Sequence, residues 1–192
     1  MPRIRPLEPE EVGPEVGTMF DEFQQQRGNI PNMFRTLAYR PRIALTAAAH
    51  MDAIFNTGTV DPRLKEMLAV RVSQINDCVY CRTSHTALAK KLGVSEALLD
   101  AMHNIDEHAE EFTLAERAAL ALAERMTTDA RGVDEEVWAA LREHYDEGEV
   151  VELAAVIGLF NYFNRLSDAL RIPVTAPNLP QDDAASAYLT EP

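Results

Sequence analysis

The two cysteines of the chain lie close together, in the stretch DCVYCRTSH that spans residues 77–85. Two residues separate Cys78 from Cys81, and His85 follows one helical turn after Cys81. If the stretch is helical, the two thiols and the imidazole share one face, so the imidazole can reach the sulfur of Cys81. A histidine in that position is the kind of base that activates a cysteine nucleophile. The spacing therefore indicates redox chemistry at a pair of thiols.

The residues before this stretch favour a reactive thiolate. Asn76 and Asp77 end an amphipathic segment, which places the two cysteines in the first turn of the next helix. The positive end of a helix dipole lowers the pKa of a thiol. Glu66 lies twelve residues before Cys78, and in a helix hairpin its carboxylate can fold back towards Cys81 and His85. We expect Glu66 to orient the imidazole or to relay a proton.

Two other interpretations of the thiol pair stay open. Free cysteines are often no more than buried side chains of the core. A C-x-x-C pair is also half of many zinc sites, although zinc would here need His85 and a further ligand such as His50 or His103. A thioredoxin-type site is disfavoured, because it requires a strand before the motif and the sequence has no strand pattern.

Hydrophobic periodicity predicts that helices alone position these residues. The predicted helices span residues 10–26, a short stretch after 31, 41–55, 61–75, 78–91, 95–103, 114–128, 135–145 and 150–170. We therefore predict an all-α fold in which a helix hairpin carries the glutamate and the C-x-x-C-x-x-x-H motif. Residues 1–172 are predicted to form a single domain with the thiol site at 61–93, followed by a proline-rich tail at 173–192.

A weak internal repeat is consistent with the same helical pattern. It places Glu66 over Glu152, Cys78 over Asn164, Cys81 over Ser167 and His85 over Arg171. A duplicated helix pair whose second copy lost its thiols explains the repeat, and so does chance similarity between amphipathic helices. The aromatic residues Phe160, Tyr162 and Phe163 are expected in the core or at a subunit interface, with lining of the thiol pocket as the alternative.

Charge and composition exclude several classes of function. The 192 residues carry a formal net charge of −13, which disfavours binding to nucleic acid or to an anionic membrane surface. No run approaches the ~20 apolar residues of a membrane-spanning helix. The first residues lack the apolar core of a signal peptide, so we expect a cytoplasmic protein whose thiols are kept reduced.

The arrangement E-x(11)-C-x-x-C-x-x-x-H resembles the alkylhydroperoxidase D-like group of the carboxymuconolactone decarboxylase superfamily. Four residues carry the resemblance: Glu66, Cys78, Cys81 and His85. GNIPNMFRTLAYRP, upstream, and NYFNRLSDALRIPV, downstream, are similar to the peroxidase-related branch of that superfamily. The resemblance covers residues 28–174.

The resemblance implies a thiol-dependent peroxidase or disulfide reductase that assembles as a homotrimer or hexamer and uses neither metal nor haem. Cys81 would be activated by His85, with Glu66 in the proton relay and Cys78 as the resolving, partner-facing thiol. The implied partners are a peroxide and a dithiol reductant of the lipoyl, thioredoxin or small-thiol type. Which sulfur is attacked first stays open.

The sequence departs from the pattern of the family at one position. Tyr80 stands where the alkylhydroperoxidases have a second histidine, and a phenol is a poor base near neutral pH. We expect Tyr80 to act as a relay or to line the pocket. The remaining alternatives are a non-catalytic redox sensor of the same fold and a decarboxylase-like enzyme, which would not depend on the thiol pair.

Overall fold

A computed structural model describes residues 1–175 of the chain. The regular secondary structure of this part is all helical and contains no β-strand, which confirms the predicted all-α fold. The α-helices are α1 (Pro14–Arg27), α2 (Asn32–Leu37), α3 (Pro41–Asn56), α4 (Pro62–Ile75), α5 (Val79–Lys91), α6 (Glu96–Ala101), α7 (Leu114–Thr128), α8 (Glu135–His144) and α9 (Glu147–Leu170). Short 3-10 helices span Pro9–Glu11, Ala109–Glu111 and Ala130–Gly132.

Local capping explains where two of the central helices begin. The side chain of Asp61 accepts a hydrogen bond from the Arg63 backbone N–H at 2.8 Å, and Pro62 occupies the first helical position of α4. Thr113 and Glu116 form a reciprocal capping box at the start of α7. Both helix starts agree with the prediction from sequence.

Two predicted boundaries were wrong. The first helix begins at Pro14 instead of residue 10, because Gly13 takes the extended conformation of an N-cap and the preceding residues form a separate 3-10 turn. The last helix begins at Glu147 instead of residue 150, because Asp146 and Glu149 form a capping box there. Both differences lie outside the hairpin that carries the motif.

Helix α4 lies at the centre of the molecule and packs against α5, α7 and α9. Its apolar side chains are buried on several faces: Leu64, Met67, Leu68, Ala69, Val70 and Val72. A helix that is apolar on most of its surface is typical of a protein interior. Glu66, which lies on the same helix, is therefore held inside the fold.

A tight turn joins α4 to α5 and positions the first cysteine. Asp77 adopts a left-handed conformation with φ of 53°. Its backbone N–H donates to the Gln74 carbonyl at 3.1 Å, and that of Cys78 donates to the Ser73 carbonyl at 2.9 Å. These two bonds form the Schellman motif that ends many helices, with aspartate in the position usually taken by glycine. As a result, Cys78 is the N-cap of α5 and not a residue of its first turn.

A buried lysine joins the start of α4 to its surroundings. Lys65 is 1% exposed, and its Nζ donates to the carbonyls of Ile54 and Thr57 at 2.8 Å each. The same nitrogen pairs with Glu152 of α9 at 2.9 Å. These three acceptors satisfy the ammonium group, which a buried cation requires. The contacts connect α4 to the end of α3 and to α9.

The chain after α9 returns to the domain. Ile172 and Thr175 are buried against the rest of the molecule. Most of the proposed tail at 173–192 lies outside the described residues, so the division at residue 172 stays a prediction. Within residues 1–175, no helix has the length and apolar composition needed to cross a bilayer.

Candidate active site

The two cysteines are free thiols in the interior, at the N-terminal end of α5. Cys78 is fully buried, while Cys81 is 2% exposed and lies in the first helical turn. The side chain of Cys78 forms no capping bond, so it does not neutralise the positive end of α5. The structure thus brings together the two sulfurs that the spacing predicted to share a face.

The environment of the pair makes the two thiols chemically unequal. Hydrogen bonding from the Cys78 thiol lowers the pKa of Cys81, against the opposing effect of burial, and contacts with Asn164 and Ser167 lower it further. The same hydrogen bond and burial raise the pKa of Cys78. Since the thiolate is the nucleophilic form of a cysteine, these shifts favour Cys81 over Cys78 as a candidate nucleophile.

Helix α9 supplies polar groups to Cys81 that sequence reasoning missed. The Ser167 hydroxyl lies 3.9 Å from the Cys81 sulfur. The Asn164 amide nitrogen donates to the Ser73 hydroxyl at 3.1 Å, and the Asn164 oxygen accepts from Asn76 at 3.0 Å. Asn164 and Ser167 are nearly fully buried, three residues apart on a helix whose other buried residues are apolar. That polar pair on an apolar face is visible in the sequence, but its position beside Cys81 depends on tertiary packing.

Asp168 of α9 is a third missed residue, and it lies against Cys78. Partial burial raises the pKa of its carboxyl group, hydrogen bonding with Cys78 acts in the opposite direction, and the charge of Asp77 raises it further. A carboxylate beside the less acidic thiol is a suitable acceptor for the proton of that thiol.

His85 and Glu66 form a buried pair. The imidazole Nδ1 lies 2.6 Å from the Glu66 Oε2, which orients the ring and directs Nε2 away from the carboxylate. The ring of Phe160 packs edge-on against the imidazole, with centroids 4.4 Å apart at 81°. In residues 1–175 no hydrogen bond joins His85 to either sulfur, so the structure forms a thiol pair and a His–Glu pair separately.

A small cavity brings the two pairs together. It has a volume of about 50 Å³, and Cys81, His85, Tyr80 and Phe163 are among its lining residues. Because one water occupies roughly 30 Å³ of liquid, the cavity admits a molecule of about that size. Phe160 and Phe163 are buried in the hydrophobic core, as expected, and in addition Phe163 lines the thiol pocket and Phe160 contacts His85.

A wider groove of about 610 Å³ lies beside the cavity. Both spaces are lined by Arg27, Met51, Leu88 and Lys91, and Glu66 lines the groove only. The volume of the groove is typical of sites for organic ligands. An organic molecule in the groove would therefore lie next to the His85–Glu66 pair and the cavity.

Tyr80 lines the cavity, but its hydroxyl is held by structural partners. It accepts the backbone N–H of Met33 at 3.0 Å and lies 3.2 Å from the Thr175 hydroxyl. Burial raises the pKa of Tyr80 to about 12, so the phenol is protonated at neutral pH. This arrangement favours the pocket-lining role of Tyr80 over the relay role.

The described residues contain no group of three or more histidine, cysteine, aspartate or glutamate side chains arranged to hold a metal ion. The zinc interpretation required His50 or His103 beside the thiols. Neither histidine lines the cavity of Cys81.

Sequence comparison finds relatives for this arrangement. The pattern of the carboxymuconolactone decarboxylase family matches residues 41–125, a range that includes all four motif residues. The uncharacterized protein YdfG of Bacillus subtilis (strain 168) is 33% identical over 121 residues, which are 62% of this chain and 82% of YdfG.

Two solved structures share the fold over nearly the whole chain. One is a peroxidase-related protein from Ralstonia eutropha JMP134, described as an alkylhydroperoxidase AhpD core, with a TM-score of 0.83 and 24% identity over 92% of this chain and 94% of that one. The other is the debrominase Bmp8, with a TM-score of 0.79 and 25% identity over 91% of this chain and 93% of that one.

Proposed function

The chain belongs to the carboxymuconolactone decarboxylase superfamily, which includes the alkylhydroperoxidase D-like proteins, and we propose that it is a thiol-dependent peroxidase. The observation that carries the proposal is the position of Cys81. Its thiol has a lowered pKa and lines a cavity that also contains His85, while Cys78 lies within reach as a second thiol. The same pair supports disulfide reductase activity, because the oxidised form is a disulfide.

In the first step the Cys81 thiolate attacks the terminal oxygen of a hydroperoxide, ROOH. A sulfur–oxygen bond forms, the oxygen–oxygen bond breaks, and Cys81 becomes a sulfenic acid. The alkoxide that leaves takes a proton from the His85 imidazole and departs as the alcohol ROH. The Glu66 carboxylate, 2.6 Å from the other ring nitrogen, stabilises the charged imidazole before transfer.

In the second step Cys78 attacks the sulfenic sulfur of Cys81. The disulfide forms as the sulfur–oxygen bond breaks, and the hydroxide that leaves takes up the proton of the Cys78 thiol by way of Asp168, so that water is released. An external dithiol then reduces the disulfide by two exchange reactions and is itself oxidised to a disulfide. The sum is ROOH plus a dithiol giving ROH, water and a disulfide.

The burial of Cys78 and Cys81 limits the size of the reductant that can reach them. Cys78 is fully buried and Cys81 reaches only the small cavity, so a large protein reductant has no direct access to either sulfur in this conformation. A slender dithiol of the lipoyl or small-thiol type fits this access better than a folded thioredoxin-type protein.

The proposal is tested by turnover with tert-butyl hydroperoxide and dihydrolipoamide. We expect Cys81→Ser to abolish alcohol formation and His85→Gln to reduce it by about 10²-fold, the size of a lost acid–base contribution. His50→Gln, which changes an exposed histidine outside the cavity, is the control and should keep the parental rate. Parental rates in both Cys81→Ser and His85→Gln would contradict the proposal. A protein that oxidises once but does not turn over with any dithiol would instead be a redox sensor.

A second candidate function is reductive dehalogenation, favoured by the similarity to the debrominase Bmp8 over 91% of this chain. Here the two thiols would supply two electrons: an aryl bromide and the dithiol would give the arene, hydrogen bromide and the disulfide. Bromide release from a brominated aromatic compound, without any reaction with hydroperoxides, would favour this candidate over the first.

A further inference from the structure

Arg27, the last residue of α1, lies where the cavity of Cys81 meets the groove of Glu66. Its side chain lines both spaces, together with that of Lys91. The mechanism proposed above uses neither cation. A positive charge at this junction faces any organic molecule that occupies the groove and reaches towards the thiols.

The contacts of Arg27 leave most of its hydrogen-bonding capacity unused. The guanidinium lies 5.6 Å from the centroid of the Phe23 ring, and one of its nitrogens donates to the Met51 sulfur at 3.9 Å. A guanidinium carries five N–H donors, and a thioether is a weak acceptor. Within residues 1–175 no carboxylate forms an ion pair or hydrogen bond with Arg27.

The surroundings of the Arg27 guanidinium also shift its pKa. Burial lowers the pKa of Arg27, although the charge of Glu66 acts in the opposite direction. Arg27 is half-buried, and a cation partly removed from water is stabilised by a hydrogen-bonded anion; a planar guanidinium binds a carboxylate through two parallel bonds. The site therefore favours an anionic ligand next to Arg27.

The acidic residues of the groove do not supply that anion. Glu66 is bound to His85 at 2.6 Å, and the Asp52 carboxylate accepts a hydrogen bond from Asn56 at 2.6 Å. Glu22 is exposed at the outer part of the groove. Beyond these groups the lining is largely apolar and includes Met19, Phe23, Leu45, Ala48 and Phe55.

We infer that Arg27 binds the carboxylate of an organic substrate whose apolar part lies in the groove and whose reacting group reaches the cavity beside Cys81. Because the inference rests on the proposed function, the substrate class is an organic hydroperoxide that bears a carboxylate. Lys91, exposed at the edge of both spaces, adds a second positive charge on the path of the anion.

The test uses an unreactive ligand, so it does not depend on redox chemistry. Titration calorimetry of the reduced protein compares octanoate with 1-octanol, which has the same apolar chain and no charge. We expect saturable binding of one octanoate per chain and at least ~10-fold weaker binding of 1-octanol, since a charge-assisted hydrogen bond contributes about 1.5–3 kcal/mol. This comparison is made on the parental protein and needs no variant.

Substitutions of Arg27 then test whether this side chain binds the octanoate carboxylate. Arg27→Gln should weaken octanoate binding at least ~10-fold and leave 1-octanol binding unchanged, while Arg27→Lys should give an intermediate affinity for octanoate. Arg142→Gln is the matched control, because Arg142 also lies over an aromatic ring, at 5.8 Å from Trp138, but lines neither space. Equal affinities for octanoate and 1-octanol, or undiminished octanoate binding by a folded Arg27→Gln protein, would overturn the inference.

The two proposals fail separately. Octanoate binding that needs Arg27, in a protein that does not reduce hydroperoxides, overturns the peroxidase function and leaves the anion site. Hydroperoxide turnover without octanoate binding leaves the function and overturns the anion site.

Discussion

Cys78 and Cys81 have different surroundings, which shift their pKa values in opposite directions although only two residues separate them. Cys81 lies in the first turn of α5, and the neighbouring Cys78, Asn164 and Ser167 side chains lower the pKa of its thiol, which favours the thiolate. Hydrogen bonding with Cys81 and burial raise the pKa of Cys78, so its thiol keeps its proton at rest. These differences support the proposed roles of Cys81 as the nucleophile and Cys78 as the resolving thiol.

Because the pKa values of the two thiols shift in opposite directions, we expect Cys78 and Cys81 to titrate separately. With iodoacetamide between pH 5 and 10, the midpoint of Cys81 alkylation should lie below the ordinary thiol value of about 8.5, and that of Cys78 above it, because only thiolates react. Mass spectrometry of the two modified positions measures both. Ser167→Ala should raise the midpoint of Cys81 by about one pH unit, whereas Ser95→Ala, which removes a remote serine hydroxyl, should not. A common midpoint for both cysteines would contradict the assignment.

Tyr80 provides a second test at this scale. Tyr80→Phe should reduce the free energy of unfolding by about 1–2 kcal/mol, because the buried Met33 N–H loses its acceptor, while hydroperoxide turnover changes little. Burial raises the folded-state pKa of Tyr80 to about 12, above its ordinary value of ~10, so the parental protein should lose stability as the pH rises from ~10 towards 12. Urea denaturation should show a smaller loss in Tyr80→Phe. A large fall in turnover without a fall in stability would restore the relay role.

Some of these residues could be identified from sequence and others could not. Glu66, Cys78, Cys81 and His85 lie within twenty positions, so helical spacing alone places them on a hairpin. Ser167, Asn164 and Asp168 come from α9, more than eighty residues later, and only the packing of α9 against α4 and α5 brings them to the thiols. Arg27 comes from α1, and its position at the cavity likewise depends on tertiary packing.

The position of the α4–α5 hairpin depends on two sets of contacts, one at the turn between the helices and one at the start of α4. The Schellman motif at Asp77 sets the direction in which α5 begins. At the other end, Lys65 joins α4 to the loop after α3 and to Glu152. The helix that carries Glu66 is thereby held relative to the helix that carries His85.

Removal of the buried ammonium group should be costly. Lys65→Met leaves two carbonyls without a donor and Glu152 without its cation, so we expect a loss of about 3–5 kcal/mol in the free energy of unfolding, measured by urea denaturation. Lys90→Met is the matched control, because Lys90 pairs with Glu96 at the surface and such pairs contribute at most about 1 kcal/mol. Equal losses in the two variants would show that the Lys65 contacts do not stabilise the hairpin.

Helix boundaries were predictable where the capping chemistry is local and unambiguous. Asp61 followed by Pro62, and Thr113 with Glu116, gave the starts of α4 and α7 to the residue. The predicted start of α9 was wrong. Asp146 and Glu149 form an equally good capping box, but the apolar stripe of the helix, from which the start was predicted, begins later. Periodicity finds the packed face of a helix, while the cap decides where its backbone begins.

At the scale of the whole molecule, a single chain leaves large apolar side chains exposed. They include Tyr39, Ile43, Leu92, Leu114, Val151 and Tyr162, each between 43% and 68% exposed. Exposed apolar residues on a protein of net charge −13 are consistent with subunit contacts, in line with the proposed homo-oligomer. The internal repeat stays a prediction at this scale.

Assembly is directly measurable. Light scattering coupled to size exclusion should give a particle of three or six chains of 21.4 kDa. The expected state follows from the proposed trimeric or hexameric assembly and from burial of the exposed apolar side chains. A monomer at micromolar concentration would contradict this proposal without affecting the chemistry at Cys81.

We propose that Cys78 and Cys81 form one redox pair that a hydroperoxide oxidises. It is tested most directly by titrating the thiols of the reduced protein before and after one equivalent of tert-butyl hydroperoxide, with mass spectrometry of the product. We predict a fall from two free thiols to none per chain, a loss of two hydrogen atoms in mass, and one equivalent of alcohol. Two free thiols after the reaction, with the hydroperoxide intact, would contradict the account.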